Sequence, residues 1–194
     1  QNLLKEYVAY RLLHELTSAS YGTRLFHVTY VNTQDGKERT RYGFVIEDDK
    51  AVAKRNGLKL VKIRRIKESE IDPRQQNLVH VFQYMIGNTE YSLVNPEPDK
   101  NCCHNADVLS ATKEPPYIPL AFDFDFSGLV NAPYAQPNPR YPIPNVKRRF
   151  YRGLCDANDL LPETLETFVD KKDAFYNIVD ELEPATRKTK QKLR

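Results

Sequence analysis

A hydrophobic segment that contains two aspartates constrains the fold of this chain most. The stretch AFDFDFSGL, residues 121–129, places Asp123 and Asp125 two positions apart. Because side chains at i and i+2 lie on the same face of an extended strand, both carboxylates would point toward one cation or phosphate. The alternation also fits a half-buried strand whose phenylalanines face the core and whose aspartates are solvated. Both interpretations predict a β-strand that ends near these aspartates.

The overall composition limits the class of protein. A chain of 194 residues with 40% apolar residues is long enough for one domain, or for one domain with two small lobes. A mean hydropathy of −0.64 and the absence of a long apolar run exclude a transmembrane helix and predict a soluble domain. The net charge of +3 is smaller than that expected of a dedicated nucleic-acid-binding protein. Nothing resembles a signal peptide, so the compartment stays open.

The three cysteines have no spacing typical of a disulfide framework or a four-ligand zinc site. Cys102 and Cys103 are adjacent and Cys155 is distant, so free thiols are expected. A catalytic thiol would need neighbours that lower its pKa, and only Lys100 and His104 are near.

The first 57 residues predict a helix, a hairpin and a second helix. Leucine and valine at four-residue spacing predict an amphipathic helix over residues 2–19. Residues 25–31 and 41–46 flank an Asp-Gly turn and predict a β-hairpin. Acidic residues then begin a short helix over 49–56, which ends at Asn-Gly.

The next helix has clear start and stop signals. Residues 59–67 fit neither the helical nor the strand period. Asp72 is a side-chain cap, Pro73 suits the first helical position, and Gln75 is placed to complete a capping box. The apolar face that follows predicts a buried helix ending at Gly87.

Polar residues then come together around two short apolar stretches. If residues 106–109 and 118–124 pair as strands, Asn105 lies near Asp123 and Asp125. A hard divalent cation such as Mg²⁺ takes carboxylates, a side-chain amide and phosphate oxygens as ligands. This pairing therefore predicts a metal site.

Four segments, in this order, resemble the CotH-type kinases of spore coat proteins, which are atypical relatives of the protein-kinase fold. Residues 3–12 resemble their regulatory helix, and residues 40–48 resemble their strand and hinge motif. Residues 85–88 resemble the opening of the catalytic loop, and residues 123–125 occupy the place of the metal-binding motif. The resemblance spans most of the chain.

The resemblance implies an α+β, protein-kinase-like fold. Residues 1–57 would form part of the N-terminal lobe, and residues 58–194 would form a C-terminal lobe with the catalytic and metal-binding loops. The activity implied is phosphoryl transfer from ATP, with Mg²⁺ or Mn²⁺, to a hydroxyl of an unknown protein or small-molecule acceptor. The resemblance also favours a location outside the cytoplasm.

The resemblance assigns roles to seven residues. They are Glu90 and Asn88 in the catalytic segment, Glu47 and Asp48 at the nucleotide-binding hinge, and Asn105, Asp123 and Asp125 at the metal. Glu90 stands where the family usually has an aspartate, and the phosphate-contacting lysine of kinases would precede the first helix. A catalytically inactive pseudokinase or scaffold is therefore the alternative function. Glu6 or Glu15 could pair with such a lysine, or both could be solvated.

The last part of the chain is basic and helical. Residues 146–152 interleave four cations with two aromatics and would suit an acidic substrate, single-stranded nucleic acid or a solvated surface. We expect nucleic-acid binding to be the weakest of these. Apolar residues between 165 and 182 predict one long helix, and the basic tail over 186–194 is expected to be frayed.

Overall fold

The computed structural model describes residues 1–194, in which helices and short sheets form an α+β fold. The helices are α1 (Asn2–Leu16), α2 (Asp49–Arg55), α3 (Pro73–Ile86), α4 (Leu161–Asp170), α5 (Lys172–Asp180) and α6 (Arg187–Leu193). The strands are β1 (Thr23–Val31), β2 (Glu38–Ile46), β3 (Lys59–Leu60), β4 (Ala106–Ser110) and β5 (Ile118–Ala121). Single 3-10 turns cover Glu68–Glu70 and Asn158–Leu160. The α+β class expected from the sequence is confirmed.

The N-terminal helix and hairpin form as predicted, with different ends. Helix α1 stops at Leu16 instead of residue 19, because Thr17 takes an extended conformation and its hydroxyl accepts from the Ala19 N–H. Strands β1 and β2 pair antiparallel over their full lengths. The hairpin contacts α1 through the Phe44 ring, whose centroid lies 5.6 Å from that of Tyr10.

The two helices with capping signals begin where the sequence predicts. The Asp48 carboxylate accepts from the backbone N–H groups of the first turn of α2, and the Asp72 carboxylate does so for Gln75 in α3. Helix α3 ends at Gly87, whose φ of +68° favours glycine. The Gln75 side chain accepts from the Thr17 hydroxyl and does not close the predicted capping box.

The small central sheet has the order β3-β4-β5. Strands β4 and β5 pair, as the sequence analysis considered, and the pairing is antiparallel with Ala106 opposite Ala121. Strand β5 stops at Ala121, because Asp123 has a φ of +60° and cannot continue an extended strand. The expectation that both aspartates extend from one face of a strand is therefore wrong, and a turn after β5 presents them.

The C-terminal region contains three helices, where one helix and a frayed tail are expected. The predicted long helix is divided at Lys171 into α4 and α5, and apolar residues continue through both helices, so the sequence shows one unbroken pattern. Residues 187–193 are helical, because the Thr186 hydroxyl caps α6 by accepting from the Thr189 N–H. An ion pair between Arg194 and Asp180 joins α6 to α5.

One hydrophobic core connects both predicted lobes. It includes residues from α1, α3, β4, β5 and α5, and its largest fully buried side chains are Phe82 and Phe124. Cys102 lies in this core and is disulfide-bonded to Cys103, so the expectation of free thiols is wrong for this pair. No helix combines the length and apolarity that crossing a membrane requires. The division at residue 57 and the kinase-like architecture stay predictions.

Candidate acidic site

Three distant parts of the chain bring four carboxylates together. Glu6 lies on α1, Glu90 on the segment that follows α3, and Asp123 and Asp125 on the turn that follows β5. The charges of Asp123 and Asp125 act on both Glu6 and Glu90, so the two glutamates lie near the same aspartate turn. We call these four side chains the acidic site.

The segment that carries Glu90 is held by its backbone. The Asn88 side-chain oxygen accepts from the Glu90 N–H at 2.9 Å, which forms a tight turn after α3. The Arg152 guanidinium donates to the carbonyl oxygens of Thr89 and Tyr91, on either side of Glu90. This arginine also lies over the Tyr91 ring, 5.0 Å from its centroid. Glu90 is therefore presented by a fixed loop.

The turn that carries the two aspartates is anchored by an aromatic side chain. Phe124 is fully buried between them, and its ring lies 4.7 Å from that of Tyr10. The Tyr10 hydroxyl oxygen accepts from the Asp123 N–H at 2.9 Å. The Tyr134 hydroxyl donates to Asp125 at 2.8 Å. Burial of the phenylalanine thus keeps both carboxylates at the surface.

Asn105 connects the Glu90 segment with the aspartate turn. Its side-chain N–H donates to the backbone carbonyl oxygen of Glu90 at 2.8 Å, and its backbone carbonyl oxygen accepts from the Phe122 N–H at 3.1 Å. Its φ of +53° is a conformation that asparagine tolerates better than most residues. The Asn105 side-chain oxygen accepts no hydrogen bond within the protein, so it remains free to bind a ligand.

Burial, together with nearby like charges, raises the pKa of three of these carboxyl groups. Burial, followed by the charges of Asp125 and Asp123, raises the pKa of Glu6 to about 7, and the Phe124 backbone N–H offsets part of this rise. Burial and the same two aspartates raise the pKa of Glu90 to about 7. Asp123 is exposed at the surface, yet partial desolvation and the adjacent Asp125 carboxylate raise its pKa as well.

No basic side chain compensates the acidic site. None of its four carboxylates forms an ion pair with lysine, arginine or histidine, whereas Glu15 on the same helix as Glu6 pairs with Lys171. Because uncompensated carboxylates repel one another, a cation bound here would lower their pKa values and stabilise the folded chain.

The side chains alone do not form a complete metal site. No three histidine, cysteine, aspartate or glutamate side chains are placed to coordinate one ion together. The available donors are carboxylate and amide oxygens, which are the ligands that Mg²⁺ and Mn²⁺ prefer. The donor set therefore fits a hard cation whose remaining ligands come from phosphate oxygens and water.

The two residues assigned to the nucleotide hinge have structural partners. The Glu47 carboxylate pairs with Arg55 at 3.0 Å and accepts from the Gly22 N–H. The Asp48 carboxylate caps α2. Both lie at the end of β2, and their nucleotide-binding role stays a prediction that would have to use backbone groups.

Part of the basic run 146–152 has a structural role. Arg149 donates through Nε to the Met85 carbonyl oxygen, and Arg152 holds the Glu90 segment. The His104 Nε2 lies 3.5 Å from a carboxylate oxygen of Glu97, and the His104 backbone N–H donates to the carbonyl oxygen of Asn95. Sequence reasoning missed the roles of Tyr10 and Arg152, because contacts across more than sixty residues leave no local pattern in the sequence. It also missed Tyr134, whose contact with Asp125 spans nine residues of irregular chain.

The raised pKa of Glu6 gives a prediction on pH-dependent stability. A carboxyl group whose pKa rises from 4.5 to about 7 on folding contributes stability below pH 4.5, and this contribution is lost as the pH rises through 7. Glu6→Gln removes the ionisation. We therefore expect the melting temperature of the variant, relative to that of the wild type, to be higher at pH 8 than at pH 5. Thermal unfolding of both proteins at the two pH values measures this difference.

The comparison between variant and wild type is necessary because His80 has the opposite effect. Burial, with a smaller contribution from Arg152, lowers the pKa of His80 to about 4, so His80 favours folding increasingly as the pH rises toward 6.5. This contribution is present in both proteins and cancels. Glu15→Gln on the same helix is the matched control. Its melting temperature should differ from that of the wild type by the same amount at pH 5 and pH 8. An equal difference for Glu6→Gln at pH 5 and pH 8 would contradict the electrostatic description of the acidic site.

Comparisons of the chain with protein-family models, with curated proteins and with solved structures found no match.

Proposed function

We propose that this chain is a CotH-like, protein-kinase-like domain that binds ATP with Mg²⁺ or Mn²⁺ and transfers a phosphoryl group to a hydroxyl acceptor. The observation that carries the proposal is the uncompensated acidic site, together with the free side-chain oxygen of Asn105. These groups come from the segments that the resemblance assigns to catalysis and metal binding. The acceptor is a protein or a small molecule.

Asp123, Asp125 and Asn105 are the residues that would hold the metal ion. A divalent cation at this place neutralises negative charge on the nucleotide phosphates. The turn anchored by Phe124 fixes the direction of the two aspartates, and the hydrogen bond from Asn105 to the Glu90 carbonyl fixes the loop beside them. The protein thus contributes mainly by positioning its ligands, which is the main source of catalysis in phosphoryl transfer.

Glu90 would accept the proton of the acceptor hydroxyl. A general base works best when its pKa lies near the working pH, and burial raises the pKa of Glu90 to about 7 in the metal-free chain, from which a bound cation would lower it. Asn88 and Arg152 hold the backbone around this residue, so the position from which its side chain extends is fixed.

The alternative is a pseudokinase or scaffold in which the same fold binds partners without catalysis. The observation that favours it is that no three ligating side chains converge on one ion. The glutamate at position 90, which is one methylene longer than the aspartate of the family pattern, favours it as well. Nucleotide binding with steady turnover would exclude this alternative.

A thermal-shift titration with ATP tests nucleotide binding first. A ligand at a hundred times its dissociation constant stabilises the folded state by about 2.7 kcal/mol, so we expect a clear rise in melting temperature with ATP and Mg²⁺ together. Without the metal the rise should be much smaller. Asp123→Asn removes one charged metal ligand and should abolish the metal-dependent part of the shift.

Asp35→Asn is the matched control for this titration, because Asp35 is an acid on the exposed hairpin turn and pairs only with Lys37. It should respond to ATP and Mg²⁺ as the wild type does. Equal shifts in Asp123→Asn and the wild type would place the nucleotide elsewhere. No shift in a folded wild-type chain would refute nucleotide binding by this chain.

A further inference from the structure

A second concave site lies away from the acidic site, among the C-terminal helices. It has a volume of about 540 Å³, and eleven of its fourteen lining residues are hydrophobic. Small-molecule sites in proteins typically measure roughly 300–1,000 Å³ and are mostly apolar. We call this feature the apolar cavity.

The apolar cavity has a deep floor made by three different helices. Leu12 of α1, Ile86 of α3 and Val179 of α5 line it and are all buried. At its mouth, Leu165 and Val169 of α4 remain 47% and 69% exposed. Large aliphatic side chains so exposed next to a cavity mark a surface that a ligand can cover.

The charged groups of the apolar cavity all have the same sign. Arg149, Lys172 and Arg194 line it, and no acidic residue does. Arg194 is already paired with Asp180 on α5. Arg149 uses only Nε, toward the Met85 carbonyl oxygen, and Lys172 forms no ion pair. Two cations at an apolar site therefore remain available for a negatively charged group.

We propose that the apolar cavity binds a single-chain amphiphile with a carboxylate head, such as a long-chain fatty acid. The acyl chain would cover Leu165 and Val169 and contact the buried floor, and the carboxylate would bind Arg149 and Lys172. Each buried methylene group contributes to affinity, and a carboxylate can form charge-assisted hydrogen bonds with the two cations. This binding does not depend on the proposed phosphoryl transfer.

The dimensions of the apolar cavity favour a small amphiphile over a docked helix. A volume of 540 Å³ equals that of a cube with an edge of about 8 Å. A helix with its side chains is about 10–12 Å across, so the cavity cannot enclose one, and a helix could contact only its mouth. A flexible acyl chain has no such requirement.

Equilibrium binding to the full chain tests this proposal. A fluorescent polyene fatty acid, kept below its micelle concentration, is titrated with the protein and then displaced by palmitate or by hexadecanol. We expect saturable binding of one fatty acid per chain, with palmitate competing at least about tenfold better than hexadecanol, because only palmitate carries the charge.

Two variants and one control locate the binding. Lys172→Gln combined with Arg149→Gln should weaken palmitate binding at least about tenfold and leave hexadecanol unchanged. Val169→Glu should weaken both, since it places a carboxylate at the apolar mouth. Lys171→Gln is the matched control, because the neighbouring Lys171 does not line the cavity and pairs with Glu15 instead.

Melting curves establish that each variant is folded before its affinity is compared. A double variant that is folded and binds palmitate as the wild type does would overturn the proposal. Absence of saturable binding to the wild type, or binding only of an acidic amphipathic helix peptide, would overturn it as well. None of these results depends on ATP, so the proposed function is tested separately.

Discussion

Phe124→Ala should lower the free energy of unfolding by about 3–5 kcal/mol, the usual cost of truncating a fully buried phenylalanine. The Phe124 ring is fully buried and contacts the rings of Tyr10 and Phe82 at centroid distances of 4.7 and 5.6 Å. Alanine would remove these aromatic contacts and leave a cavity between α1 and α3. Because whole domains are stable by only about 5–15 kcal/mol, this single change should remove a large part of the stability of the chain.

Denaturant unfolding followed by circular dichroism measures this loss. Phe126→Ala is the matched control, since Phe126 lies on the same turn but is only partly buried. It should cost less than half as much. A similar loss for the two variants would show that the buried position of Phe124 does not decide the stability of this turn.

The same substitution connects stability with the acidic site. Phe124 lies between Asp123 and Asp125 in the chain, and the Asp123 N–H depends on the Tyr10 hydroxyl that packs beside the phenylalanine. The turn has no regular secondary structure to hold it. Its geometry is therefore maintained by the burial of one ring, and the carboxylates depend on that ring for their placement.

The parts of the fold that could be predicted from the sequence are those with a local signal. The Asp72-Pro73 start and the Gly87 end of α3 are both correct, because a cap, a fixed proline φ and a left-handed glycine act within one helical turn. The pairing of β4 with β5 is also correct, since short apolar stretches with adjacent polar ends have few other partners.

The parts that could not be predicted depend on contacts between distant segments. The alternation of phenylalanine and aspartate continues past Ala121, yet β5 stops there because Phe124 turns into the core between α1 and α3. The break at Lys171 is hidden because α4 and α5 continue one apolar pattern. In both places tertiary packing decides where an element ends.

The residues of the acidic site also divide into those with a local signal in the sequence and those that only distant contacts bring to the site. Asp123, Asp125 and Asn105 come from a polar cluster visible in the sequence, and the structure connects Asn105 to the aspartate turn through the Phe122 N–H. Glu6 could not be distinguished from Glu15 by pattern, because both lie on α1 and only the fold brings Glu6 to the aspartates. Arg152 appears in a basic run that suggests a binding surface, whereas its guanidinium holds backbone carbonyls.

Glu90→Gln should reduce the rate of phosphoryl transfer by about 10²–10⁴-fold, which is the usual contribution of a positioned general base. The amide has nearly the shape of the carboxylate but cannot accept the proton of the acceptor hydroxyl. Transfer of labelled γ-phosphate from ATP to the chain itself, to water or to an added acceptor measures the rate. Glu90→Asp keeps the carboxylate and should retain more activity than Glu90→Gln.

The dependence of the rate on pH separates a base from a residue that only supports the loop. The pKa of Glu90 is raised to about 7 in the metal-free chain, and a bound cation lowers it. The wild-type rate should therefore fall as the pH drops through a value below 7, and Glu90→Gln should lose this dependence. The thermal shift of Glu90→Gln with ATP and Mg²⁺ should equal that of the wild type, since the proposed metal ligands are intact.

Glu38→Gln is the matched control, because Glu38 is exposed at the start of β2 and lies outside the acidic site. A Glu90→Gln variant with the wild-type rate and pH profile would remove the base from the mechanism. Nucleotide binding without measurable transfer in the wild type would instead favour the pseudokinase, in which the raised pKa of Glu90 reflects only its burial and the nearby acidic charges.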